Sequence, residues 1–182
     1  MPNLQNLILL ATVAACSLSA QDSSIFIYEA KQLYGTVSDN LAKGAEEMPA
    51  KDYAFQPTPE SPTFADLIAE VVGAQADVCS AIEGTHVDME GPSSATKADL
   101  VSALEKSDRK CAAAYSSVNN FNASQQVHFG AVQRSRLGLL SINTSHDSEV
   151  YGQVAVYLRL KGLVPPSNRA RLLPVAGRFD RN

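Results

Sequence analysis

Between Phe64 and Ile82 the residues Phe64, Leu67, Ile68, Val71, Val72, Val78 and Ile82 recur mostly at steps of three and four. A helix gathers such a set onto one face, because its side chains repeat about every 3.6 residues. Thr63 is suited to cap the start of this helix, and Asp66, three positions on, completes an imperfect capping box. Gly84 suits its end. A segment over 24–43 has the same period in Ile25, Ile27, Ala30, Leu33, Val37 and Leu41. A third opens on Thr96 as cap, with Asp99 in the box position and a stripe of Leu100, Leu104, Cys111, Ala114 and Val118. A fourth opens near Phe129 and runs through Val132, Leu137, Leu140, Ile142, Tyr151, Val154, Tyr157 and Leu158. There Gly162 suits a C-cap and Pro165-Pro166 forbids continuation.

What lies between these segments cannot be helix throughout. Met48 to Pro62 holds four prolines in fifteen residues and reads as an extended crossover, with Tyr53 and Phe55 laid against the helices. Thr85 to Ser94 is an acidic loop marked by Gly and Pro, and Asn119 to Gln126 is polar turn material. Strand signal is slight. The expected fold is all-α: a four-helix bundle whose long connections cross over, in one domain at 182 residues.

Charge narrows the partners. With 15 basic and 19 acidic residues, a net charge of −4 and no basic run, no nucleic-acid surface is expected. The first 20 residues carry no acid or base and are apolar from Leu7 to Ala15. They read as a secretory signal over 1–20, followed by the bundle over 21–167 and a basic tail over 168–182. An exported, periplasmic or extracellular protein is the expectation. Alternatively "VAAC" resembles a lipobox, Cys16 is lipidated, and that anchor is the only membrane contact. Export leaves Cys79 and Cys111, both on predicted helices, in an oxidising compartment, as a disulfide or as two buried thiols.

Candidates for chemistry are few. Neither a phosphate-binding glycine loop nor a serine elbow is present, and the three cysteines are too dispersed for a thiolate metal site. Of the three histidines, His86 sits in the acidic loop and His128 reads as a capping or surface residue. His146 shares a helix face with Glu149, Val150 and Gln153. Glu70 is a lone acid in the apolar run "DLIAEVVGAQ". It faces solvent, or it is offset by a metal or a cationic partner, since an unpaired buried carboxylate is costly. A direct Glu70–His146 ion pair is a third arrangement. Asn122 and Asn143 stand in formal glycosylation sequons, but Asn143 falls mid-helix.

Three stretches together, "MPAKDYAFQPTPE", "PTFADLIAEVVGAQADVCSAI" and "SHDSEVYGQVAVYLRLKGLVPPS", resemble the DinB superfamily, four-helix proteins related to YfiT. The resemblance spans roughly 28–167. It implies a bundle with an unusual connection order, commonly a homodimer. It also implies a divalent metal, zinc or nickel, held by one histidine of the second helix and an H-x-x-x-H pair of the last. Some such proteins are thiol transferases, in which the metal presents a thiolate as nucleophile, and others are metal-dependent hydrolases. Laid on this sequence, the three ligand positions fall at Glu70, His146 and Val150. Valine ligates nothing. Glu149 is the nearest substitute, although it points about a third of a turn away. Tyr151 and Gln153 are the expected pocket or second-shell residues. The expectation is therefore a weak or vestigial metal site with no assigned catalytic residue, in a protein that binds a partner or a small ligand. The alternative is a divalent-metal-dependent transferase or hydrolase using Glu70 and His146.

Overall fold

In the computed structural model, which describes residues 23–85 and 96–170, four long helices are joined by two kinds of connection. The expected signal segment with Cys16, the His86 loop and the end of the tail lie outside the described residues. Helix α1 spans Ser24–Glu47. Its buried face is Ile27, Tyr34, Val37, Leu41, Gly44 and Ala45, so Ile25 and Leu33, expected inside, are exposed. Tyr34 takes the core position because the polar interior of this bundle offers its hydroxyl partners. Gly44 has a packing reason: a Cβ there would come within 3.1 Å of Val154 Cγ1 on the facing helix.

The proline-rich crossover passes through a short 3-10 turn, Ala50–Asp52, and is pinned by aromatics as the sequence implied. Tyr53 is buried, meets Phe64 edge-on at 5.0 Å and donates its hydroxyl proton to Ala45 O at 2.6 Å. Phe55 meets Tyr157 at 5.8 Å, and Lys161 lies over the Phe55 ring at 3.8 Å while pairing with Asp52 at 2.9 Å. The crossover also receives protons that the next helix cannot use internally. Phe64 N donates to Phe55 O and Ala65 N to Tyr53 O, both at 2.9 Å.

Helix α2, Phe64–Glu83, starts with the full capping box: Asp66 N donates to Thr63 Oγ1 and Thr63 N to Asp66 Oδ2. It ends at Gly84, whose φ of +73° suits glycine, with Thr85 N returning to Ser80 O. Helix α3, Lys97–Ser117, repeats the box with Thr96 and Asp99.

Helix α4 begins at Arg136, later than the periodicity suggested, and runs to Leu160. The intervening residues form an antiparallel hairpin, β1 Gln126–Phe129 and β2 Val132–Ser135, with Gln126 opposite Ser135 and Gly130 at φ +56° in the turn. Half-buried Val127 and Phe129 alternate with exposed Gln126 and His128, which is strand rather than helix spacing. Ser135 caps α4 by accepting from Gly138 N at 3.0 Å. After Gly162 the chain makes a short helix, α5, Pro166–Ala170. Arg169 holds Glu47 by two bonds of 2.6 and 3.0 Å.

Around the bundle, α1 packs on α4 and α3, and α2 packs on α3 and α4. Consecutive α1 and α2 therefore stand at opposite corners, as do α3 and α4. The crossover and the hairpin region are the two diagonal connections. A disulfide joins Cys79 of α2 to Cys111 of α3. Among the described residues no helix is long and apolar enough to cross a membrane.

Candidate functional site

At the seam between α2 and α4, His146 Nε2 lies 3.3 Å from Glu70 Oε1. The side chain of Glu70 is half exposed and that of His146 about a third exposed, so the contact is at the surface. Behind it lies Asp147, which is fully buried. Its Oδ1 is 3.7 Å from His146 Nδ1, and neither atom has a hydrogen-bond partner. The imidazole thus stands between two carboxylates, one inside the protein and one outside. Asp147 holds His146 above its ordinary pKa, with a smaller push from Glu70, against partial burial, which lowers it.

The other oxygen of Asp147 opens onto a polar network that reaches all four helices. Asp147 Oδ2 accepts from Gln75 Nε2 at 2.9 Å and from Asn143 Nδ2 at 3.4 Å. Gln75 Nε2 also donates to Asp108 Oδ1 at 3.0 Å, and Gln75 Oε1 accepts from Ser107 Oγ at 2.6 Å. Asp108 Oδ1 accepts a further bond from Tyr34 Oη at 3.2 Å. Tyr115 Oη donates to Leu140 O at 2.8 Å, accepts from Asn143 Nδ2 at 3.3 Å and lies 2.8 Å from Thr144 Oγ1. Burial raises the Tyr115 pKa to about 12, so the phenol keeps its proton. Burial also raises Asp108, whose nearby donors are neutral.

Of the three ligand positions implied by the resemblance, Glu70 and His146 converge. Val150 is buried and alkyl, and Asp147 approaches the opposite ring nitrogen from the one facing Glu70. Glu149 is exposed, Gln153 is half-buried, and Tyr151 Oη accepts from Ser167 N at 2.9 Å, where it anchors α5. Among the described residues no three His, Cys, Asp or Glu side chains are placed to hold a metal ion. The donors present, one carboxylate and one imidazole, do not fit a three-ligand metal centre.

Sequence reasoning did not find Gln75, Asp108, Asn143 or Asp147 as a group, although they carried a signal. The buried face of α4 runs Leu139, Leu140, Asn143, Asp147, Val150, Tyr151 and Val154, so Asn143 and Asp147 occupy places in an apolar stripe. Gln75 and Ser107 do the same on α2 and α3. Polar residues in core register on three helices are the mark of a shared interior network. Asn143, only 1% exposed, is committed to it and is no glycan acceptor.

No family model matches the sequence, and no curated protein matches it. Solved structures do match. A DinB-like protein from Bacillus cereus ATCC 10987 superimposes with a TM-score of 0.65 at 15% identity, over 74% of this chain and 92% of that one. The DinB-like protein YjoA from Bacillus subtilis superimposes with a TM-score of 0.61 at the same 15% identity and the same coverage. The architecture of this chain is a DinB-like four-helix bundle.

Proposed function

We propose that this chain is an exported DinB-like bundle that has exchanged a metal centre for a Glu70–His146 ion pair and acts by binding rather than by efficient catalysis. The observation that carries this reading is the direct 3.3 Å contact of Glu70 with His146 beside the buried, non-ligating Val150. Glu70 faces Nε2 of His146 and Asp147 faces Nδ1, so each ring nitrogen meets a carboxylate rather than an open ligand position. Export is supported by the uncharged apolar start of the sequence and by the Cys79–Cys111 disulfide, a bond that persists in oxidising compartments.

Elemental analysis of untagged protein, with zinc and nickel titration, tests the site. The expected result is no stoichiometric metal in the parent protein, and Glu70→Ala and His146→Ala variants that are equally metal-free. Stoichiometric metal that disappears in both variants would overturn the reading. It would favour the alternative, a divalent-metal-dependent transferase or hydrolase in which Glu70 and His146 are ligands. Export is tested separately by the mass of the mature chain after secretion.

A further inference from the structure

At the seam between α1 and α3, across the bundle from Glu70, lies an open cleft of about 430 Å³. That volume falls in the range of roughly 300–1,000 Å³ usual for small-molecule sites. Tyr34 lines it, its ring stacked on Tyr115 at 4.2 Å and 21°. Gly35 also lines it, and a Cβ at that position would stand in open space, with nothing within 4 Å. Asp108 also lines the cleft. Its carboxylate is served by the neutral donors Ser38, Gln75 and Tyr34, and among the described residues no cationic side chain pairs with it.

Lys31 from α1 and Arg109 from α3 line the same space. Neither is used up. Lys31 Nζ makes one bond, to Val118 O at 3.3 Å, and Arg109 makes one exposed 3.8 Å contact with Glu105. An ammonium has three donors and a guanidinium five, so both have spare capacity. A ligand bearing only a positive charge would meet Lys31 and Arg109 as like charges. One bearing only a negative charge would leave Asp108 without a cation. A molecule with both charges and an apolar body satisfies every group.

We propose that this cleft binds a free α-amino acid with an apolar side chain, its ammonium at Asp108, its carboxylate at Lys31 and Arg109, and its side chain over Gly35 beside the tyrosine stack. The proposal depends on the fold and on this cleft, and not on the reading of Glu70 and His146.

Calorimetric titration of the full chain tests it with three probes: L-phenylalanine, phenethylamine, which lacks the carboxylate, and 3-phenylpropanoate, which lacks the ammonium. Phenylalanine should bind saturably and at least roughly tenfold more tightly than either analogue, the usual loss with one charge-assisted bond. Asp108→Asn, which keeps the shape of the side chain, and Gly35→Phe, which fills an open space, should each weaken it by roughly as much. Thermal melts confirm that both variants fold. Three results would overturn the proposal: no saturable binding of phenylalanine, phenethylamine binding as tightly as phenylalanine, or binding unchanged in both cleft variants. None of these alters the metal measurement, which reports on the opposite seam.

Discussion

Asp147 sits at the centre of the electrostatics, fully buried between the amides of Gln75 and Asn143 on one side and His146 on the other. Asp147→Asn can keep its carbonyl toward the two amides and turn its NH2 toward His146 Nδ1, which then serves as an acceptor for neutral imidazole. His146 should therefore titrate lower in Asp147→Asn than in the parent, and the fall should exceed that in Glu70→Gln, because Asp147 is the larger cause of the shift. Imidazole NMR against pH checks both. A raised histidine pKa stabilises the fold fully below the unfolded value of about 6.5, and that contribution is lost as pH rises through the folded value. Asp108 gives the same direction of pH dependence, through a cost at high pH rather than a gain at low pH. As an acid raised by burial, it costs stability once pH exceeds its folded value, and nothing well below its unfolded value near 3.8. Asp108→Asn should melt higher than the parent at neutral pH, with the difference closing toward pH 4. Melts across pH measure this. Reading side chains from sequence left the Glu70–His146 contact as one of three arrangements and did not reach its inner partner. Grouping His146 with Glu149, Val150 and Gln153 by face left out Asp147, one position on, which turns into the core.

Helix boundaries depend on local hydrogen bonds, and where those bonds involve short polar side chains they were legible in advance. Thr63 with Asp66, and Thr96 with Asp99, cap α2 and α3 as their spacing implied. Thr63→Ala or Thr96→Ala should each cost about 1 kcal/mol in urea unfolding. The two caps share no contacts, so the double variant should lose close to the sum. The start of α4 was not legible, because Val132 and Leu137 extend a helical spacing backward through the hairpin. Only the alternation of Val127 and Phe129 and the turn at Gly130 mark strands there, and strands of four residues leave little pattern to read. On α1 the apolar Ile25 and Leu33 mimicked a core face that belongs to Ile27 and Tyr34.

At the scale of the whole molecule, number and type of helices follow from periodicity, whereas their arrangement rests on contacts distant in sequence. The length of the connections implied a crossover, and the packing places consecutive helices at opposite corners twice. Within this frame the Cys79–Cys111 bond closes a loop across neighbouring α2 and α3 with a separation of 32 residues. A loop of that size should contribute about 3–4 kcal/mol by restricting the unfolded chain. Thermal melts with and without a phosphine reductant, compared with the double Cys79→Ala, Cys111→Ala variant, should show a lower Tm on reduction and no response in the variant. The interior has another consequence, for how such a chain changes over generations. Gln75 has both amide hydrogens and its oxygen engaged, with Asp147 on α4 and with Asp108 and Ser107 on α3. Position 75 cannot drift alone. A glutamate there would confront two carboxylates and a leucine would take a donor from each, so descendants that lose Gln75 should have changed Asp108 and Asp147 as well, and the three positions should be inherited as a set.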